Sequence, residues 1–171
     1  MSWETIADNK RKALIALIPE KWHIPVDQLP EESERSVIRF LEKSGLLTAD
    51  ELTITQLTVQ KLAEKIASRE YTAVRVCQAY CHRAAIAHQL VHCLVEIAFD
   101  AALKQAQELD EYLEKNGRTV GVLHGVPVSL KDQFRVKGLE SSIGYLGWLG
   151  TVDEEESIMT ECLRKAGMQK A

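Results

Sequence analysis

A lysine and an aspartate, Lys131 and Asp132, directly follow a short apolar run at residues 126–130. A run of this kind, bounded by a glycine and by charges, is typical of a strand that is buried on both faces. In open α/β sheets, the carboxyl ends of such strands face the ligand crevice. Partial burial there would favour the neutral amine, which can accept a proton. Lys131 is therefore a candidate general base, and the alternative is an ordinary solvated lysine.

Thiol and imidazole side chains form a second candidate site. Cys77, Cys81, His88 and His92 are spaced by four, seven and four residues, which would place them on one face of a continuous helix. The set resembles a zinc arrangement, but Cys81 and His88 would lie about 10 Å apart along the helix axis. Zinc binds its ligands within ~2.3 Å. We therefore expect small cysteines in a helix interface and no metal site.

The segment around Lys131 is long and specific. Residues 121–132 read Gly-Val-Leu-His-Gly-Val-Pro-Val-Ser-Leu-Lys-Asp, and they closely resemble the lysine-bearing segment of the amidase signature family. The similarity continues through residues 133–138 and at Gly144-Tyr145. Upstream, residues 81–90 resemble the fungal, acetamidase-like branch. The resemblance covers roughly residues 50–167, with weaker similarity before them.

The resemblance implies a hydrolase of linear carboxamides that requires no metal and no organic cofactor. In such enzymes a neutral lysine, here Lys131, takes a proton from a bridging serine, which activates a nucleophilic serine. The nucleophile attacks the amide carbonyl, an acyl-enzyme forms, ammonia or an amine leaves, and water completes hydrolysis. Backbone donors stabilise the oxyanion. The expected partner is a small-molecule amide, and the residues that would bind it stay unknown.

The family's two catalytic serines lie in glycine-rich segments downstream of the lysine, and this sequence contains no matching segment. Ser141 and Ser142 have no glycine before them that would let the backbone approach an oxyanion, so we interpret them as loop residues. His124 belongs to the motif, but the lysine is the family's base. Tyr145 and Trp148 would either line a cleft wall or pack within the loop. With Lys131 as its one triad residue, the chain alone is expected to be inactive.

Composition excludes several classes of protein. The chain has 171 residues and a net charge of -4 without a basic stripe, so nucleic acid is not an expected partner. No apolar run approaches the ~20 residues that span a bilayer, so a membrane is not expected either. The first residues lack the basic and apolar regions of a secretory signal. Four cysteines without an export signal predict reduced thiols and a cytoplasmic location.

Hydrophobic periodicity and capping residues predict a largely helical chain. Thr48 and Glu51 match a capping box, and Thr58, Thr72 and Asp100 are candidate caps of later helices. The predicted helices span residues 3–18, 34–43, 58–67, 73–88, 101–115 and 154–166, with a short turn of helix after Thr48. Glycines are expected just beyond three of these helices, at Gly45, Gly117 and Gly167.

Two segments read as strands, residues 93–97 and residues 126–130. The helix predicted between them makes a βαβ unit, so the strands should be parallel, either as neighbours or one strand apart. Two strands are too few for a parallel sheet, and the chain stops just after a helix, where another strand is due. The sequence therefore predicts the first part of a larger α/β domain.

The fold class that we expect is α/β, with a helical region at residues 1–57. The first βαβ part of the amidase-signature mixed sheet follows at residues 58–171, truncated before the serine-bearing segment. The leading hypothesis is the N-terminal portion of an amidase. The rivals are a non-catalytic module that pairs through its open sheet edge, with a complementary C-terminal part or a second copy, and a metal-binding helical domain. Because such a sheet leaves edges and apolar surface uncovered, the isolated chain should be poorly soluble, partly molten or dependent on a partner.

Overall fold

The computed structural model describes residues 2–170, which form seven α-helices and two short strands. The helices are α1 Trp3–Ala16, α2 Val37–Ser44, α3 Ala49–Thr55, α4 Val59–Ala67, α5 Ala73–Val91, α6 Phe99–Asn116 and α7 Ile158–Lys165. The strands are β1 Pro127–Val128 and β2 Gln169–Lys170. Single 3₁₀ turns lie at Glu20–Trp22, Val26–Gln28 and Leu146–Trp148.

Three of the seven helices within residues 2–170 begin at caps that the sequence predicts. The hydroxyl of Thr48 accepts the Glu51 N–H while the Glu51 carboxylate accepts the Thr48 N–H, which confirms the capping box. The hydroxyls of Thr58 and Thr72 accept the N–H groups of Lys61 and Arg75 and so cap α4 and α5. Helix α5 continues to Val91, beyond its predicted end.

Three predicted starts are wrong. Helix α2 begins at Val37 and not at residue 34, because the Ser36 hydroxyl accepts the Arg39 N–H and sets the cap. Helix α6 begins at Phe99, so Asp100 lies in its first turn, where a negative charge still favours the helix. Helix α7 begins at Ile158 and not at residue 154, because the Ser157 hydroxyl accepts the Thr160 N–H and sets the cap.

Helices α5 and α6 form the centre of the molecule. Small buried residues of both helices, among them Ala73, Ala102 and Ala106, belong to one hydrophobic cluster. Trp22 joins this cluster from the N-terminal region, and its ring stacks on His82 with a centroid distance of 5.4 Å. A second cluster, which includes Ile54, Leu62, Ile66, Val76 and Val126, links α3, α4 and α5 to the start of β1. The division at residue 57 stays a prediction.

An aspartate ties α6 to the first turn of α5. The carboxylate of Asp110 accepts the N–H groups of Ala73 and Val74 at 2.7 and 3.0 Å. These N–H groups have no partner within their own helix, and the negative charge also suits a helix N-terminus. The contact fixes α5 against α6 beside the turn that leads into β1.

The predicted strand at residues 93–97 is wrong, because that segment is irregular. The predicted pairing of residues 93–97 with residues 126–130 is therefore wrong as well. Strand β1 instead pairs in parallel with β2, with Pro127 opposite Gln169. The strand due after the last helix is thus present, and β1, α7 and β2 form the βαβ unit. The expected α/β class is confirmed only in part, since helices dominate residues 2–170.

The surface of the molecule is large for its mass. The accessible surface is 10722 Å². A compact monomer of 19.2 kDa exposes about 8,400 Å². Exposed apolar side chains are concentrated in residues 143–159, where Tyr145 is 61% exposed, Trp148 49% and Ile158 81%. No helix within residues 2–170 is long and apolar enough to cross a membrane.

Because this apolar surface is uncovered, we expect the isolated chain to self-associate and to bind the dye ANS. Replacing Tyr145 and Trp148 together by serine should reduce both effects. Val26→Ser, at an exposed valine in the turn Val26–Gln28, is the matched control and should change neither. Sedimentation velocity and ANS fluorescence measure the two effects. A strictly monomeric chain with a sharp cooperative unfolding transition and no ANS binding would contradict this prediction.

Candidate active-site groove

Two extended segments and one loop enclose a groove of about 560 Å³. One wall is the irregular segment at residues 93–98, and the other runs from Val128, the last residue of β1, to Asp132. The loop after Asp132 contributes Phe134, Val136, Leu139 and Glu140. Most of the lining is apolar, with the charged groups Glu96, Lys131, Asp132 and Glu140 among it. The groove thus combines an apolar surface with a few polar groups, as small-molecule sites do.

Lys131 lines this groove but is exposed. The expectation that its strand is buried on both faces is wrong, because only Val126 of residues 126–130 is buried and Ser129 is exposed. The physical reason is that β1 belongs to a sheet of only two strands among the described residues, and residues 128–130 line the groove. The role of Lys131 as a general base stays a prediction.

Asp132 anchors the loop that follows Lys131. Its carboxylate accepts the Ser142 hydroxyl at 3.3 Å and the Ile143 backbone N–H at 2.5 Å. Ile143 has φ +51°, a left-handed conformation that is strained for a β-branched residue, and it is followed by Gly144 with φ +80°. The two bonds to Asp132 hold this turn in place.

Neither serine of the predicted loop pair lines the groove. The Ser141 hydroxyl donates to Asp153 at 2.6 Å, and the Ser142 hydroxyl donates to Asp132. Both side chains thus serve loop contacts here. Tyr145 and Trp148 do not line the groove either, and their rings contact each other at the surface with a centroid distance of 5.0 Å.

A lysine from the first helix joins the wall at residues 93–98 to the loop after Asp132. The Lys10 ammonium donates to Glu96, and to Glu140 at 3.2 Å. Burial alone would lower the pKa of Lys10, but its bonds to both carboxylates outweigh burial and raise that pKa. Burial raises the pKa of Glu96, and the charges of Glu140 and Asp132 add to this rise, so the pKa stays raised although Lys10 lowers it. The cluster therefore stabilises the charge of Lys10 more than that of Glu96.

His124 lies in the turn before β1 and is buried. Its Nδ1 accepts the Val120 backbone N–H at 3.2 Å, so a neutral ring carries its proton on Nε2. Nε2 is buried and has no hydrogen-bond partner among the described residues. Burial lowers the pKa of His124 below 6.5, and the charge of Asp110 opposes that shift only in part. His124 therefore supports the turn in its neutral form.

The thiol and imidazole residues do not form one centre. Cys77 and Cys81 are buried in the α5–α6 cluster with their sulfur atoms 3.8 Å apart. His88 Nδ1 accepts the Leu94 N–H, and His92 meets the His88 ring edge-on. Within residues 2–170, no three His, Cys, Asp or Glu side chains are grouped as ligands for a metal ion.

Comparison with known proteins identifies the family of this chain. The family model described as Amidase matches residues 75–169, which is more than half of the chain. The chain belongs to the amidase family. The match includes α5, α6, both segments that line the groove, and β1.

Fungal acetamidases are among its relatives. The chain is 52% identical to the acetamidase of Emericella nidulans over 97% of this chain and 30% of that protein. It is 45% identical to the acetamidase of Aspergillus oryzae, again over 97% of this chain and 30% of that protein. The chain thus spans about three-tenths of the length of these relatives, which agrees with the prediction that it corresponds to one portion of an amidase.

Solved structures of amide hydrolases share its fold. The structure of a fatty acid amide hydrolase matches with a TM-score of 0.90 at 34% identity, over 99% of this chain and 30% of that one. The native peptide amidase of Stenotrophomonas maltophilia matches with a TM-score of 0.62 at 29% identity. That second match covers 67% of this chain and 24% of the peptide amidase.

The buried histidines predict a pH dependence of stability. Burial lowers the pKa of both His124 and His88, so the unfolded chain takes up protons that the folded chain resists. Their contribution is complete above the ordinary histidine pKa of 6.5 and is lost as the pH falls below it toward the lowered values. The free energy of unfolding, measured with urea between about pH 8 and pH 5, should therefore decrease toward acid pH.

The variant His124→Asn measures the contribution of His124 to this pH dependence of stability. Asparagine carries an acceptor near the position of Nδ1 and does not titrate, so it keeps the Val120 contact. The variant should show a shallower loss of stability below about pH 6.5 than the wild type. Parallel curves for the two proteins over this range would contradict the assignment.

Proposed function

We propose that this chain is the N-terminal portion of an amidase that hydrolyses linear carboxamides, and that it is inactive alone. The observation that carries the proposal is the position of Lys131 in the groove, at the carboxyl end of β1. Polar groups at that end of parallel strands face the ligand crevice in α/β folds. The names of the relatives support acetamide-like substrates.

In the proposed mechanism, neutral Lys131 takes a proton from a bridging serine that the rest of the amidase supplies. The bridging serine activates the nucleophilic serine, which attacks the amide carbonyl and forms an acyl-enzyme. An amine or ammonia leaves, and water hydrolyses the acyl-enzyme. We assign the serines and the oxyanion donors to the rest of the amidase, because Ser141 and Ser142 do not line the groove and donate their hydroxyl hydrogens to Asp153 and Asp132.

The exposure of Lys131 is consistent with a site that the rest of the amidase completes. A lysine becomes a good base at neutral pH when its surroundings are desolvated. Lys131 lines the groove and is exposed, so a segment that covered the groove would bury it. The proposal therefore requires the remaining part of the enzyme for both the nucleophile and the environment of the base.

A second candidate function is binding of a complementary polypeptide, in which an added strand pairs with the free backbone of residues 95–97 beside the groove. Across residues 2–170, the backbone groups of Val95, Glu96 and Ile97 make no backbone hydrogen bond. Such groups can pair with an added strand, which is how extended segments dock on sheet edges. The complementary part of an amidase, or a second copy of this chain, would meet that requirement.

We expect Lys131→Ala to abolish amide hydrolysis in an assembled enzyme. The test protein is the Emericella nidulans acetamidase with the matching 30% of its length replaced by this chain. Loss of a general base should lower kcat by about 10²–10⁴-fold. Lys137→Ala, at an exposed lysine of the neighbouring loop, is the matched control and should retain activity. Retention of more than a few per cent of the rate by Lys131→Ala would argue against the base role.

The chain alone should show no turnover of acetamide or other simple amides. The reason is that Ser141 and Ser142 donate to carboxylates and the chain carries one residue of the triad. Release of ammonia by the purified chain is the measurement. Turnover by the chain alone that Lys131→Ala removes would contradict the proposed inactivity, and would point to Ser141 or Ser142 as the nucleophile.

A further inference from the structure

We propose that Lys10 is a positioning residue that fixes the width of the groove in front of Lys131. The positioning role of Lys10 in catalysis rests on the proposed amidase function, but its contacts with the two carboxylates do not. Lys10 lies on α1, far in sequence from the two carboxylates that it joins, Glu96 and Glu140. Each of these carboxylates lines a different side of the groove.

The side of the groove that contains Glu140 is held by its own backbone. Glu140 forms an antiparallel bridge with Val152, and the Asp153 N–H donates to the Leu139 carbonyl at 2.9 Å. The Ser141 hydroxyl adds a bond to the Asp153 carboxylate. This side therefore offers a fixed point for a bridge across the groove.

The wall at residues 93–98, on the other side of the bridge, has little backbone support. Among the described residues, Val95, Glu96 and Ile97 make no backbone hydrogen bond, and the Leu94 N–H donates to His88 Nδ1. The bond from Lys10 to the Glu96 carboxylate connects this wall to the fixed side. Such a segment opens at low cost when a charged contact is lost.

The charges of Lys10, Glu96 and Glu140 decide whether the two sides of the groove attract or repel each other. The side chains of Lys10, Glu96 and Glu140 are 22%, 21% and 22% exposed, so solvent screens them only in part. With Lys10 between them, both carboxylates are attracted toward one cation. Without it, two partly buried negative charges repel each other across the groove. The Lys10 ammonium thus holds the wall at residues 93–98 to the loop that contains Glu140.

The test measures the walls directly, in the whole chain. Amide hydrogen exchange followed by NMR spectroscopy reports on the Leu94 N–H, which is protected by its bond to His88 Nδ1, and the thiol reactivity of groove-lining Cys93 reports on access. Cys162→Ser removes the other exposed thiol from the background. Lys10→Met should raise both rates by about tenfold, since it removes charge-assisted hydrogen bonds.

Matched variants separate the bridge from general destabilisation. Lys12→Met makes the same change at an exposed position of the same helix and should leave both rates unchanged. Lys10→Arg keeps a cation that can contact two carboxylates and should behave like the wild type. Lys10→Glu combined with Glu140→Lys should restore slow exchange, because a cation again lies between two carboxylates.

Three results would overturn the proposal. They are unchanged rates in Lys10→Met, an increase spread evenly over α5 and α6, and an arginine variant as open as the methionine variant. Because no readout depends on hydrolysis, failure of the amidase proposal is seen separately. In that case the hybrid acetamidase would lack activity while the exchange pattern of Lys10→Met remained.

Discussion

The structure depends on one close backbone contact, between the turn at residues 121–125 and the end of α7. A Cβ at Gly167 would lie 2.9 Å from the His124 Cα, and a Cβ at Gly121 would lie 2.6 Å from the Ala166 carbonyl oxygen. Glycine at both positions lets the Leu123 and Gly125 N–H groups donate to the backbone of Ala166 and Gly167. These bonds set the register of β1 against β2. They therefore determine where the chain leaves β1 and where Lys131 lies.

Features that are encoded locally could be predicted from the sequence. Capping at Thr48, Thr58 and Thr72 depends on residues three positions apart, and the left-handed ends at Gly45 and Gly117 depend on a single glycine. The motif around Lys131 predicted the family for the same reason. Its chemistry is carried by a contiguous stretch of chain.

Features that depend on distant partners could not be predicted. Residues 93–97 have the composition of a strand, but a strand exists only when its backbone finds a neighbour. The solvent exposure of Lys131 likewise depends on whether another segment covers the groove, and not on the apolar run before it. The cluster of Lys10, Glu96 and Glu140 joins residues 86 and 130 positions apart, and no spacing rule connects them.

The three tryptophans lie in three different environments. Trp22 is 8% exposed and stacks in the core, whereas Trp148 is 49% and Trp3 is 64% exposed. Indole emission shifts to shorter wavelength when water is excluded from the ring. A polypeptide that covers residues 143–159 would therefore shift the emission of Trp148 and leave that of Trp22 unchanged. The emission wavelength of Trp148 thus reports whether the apolar surface of residues 143–159 is covered.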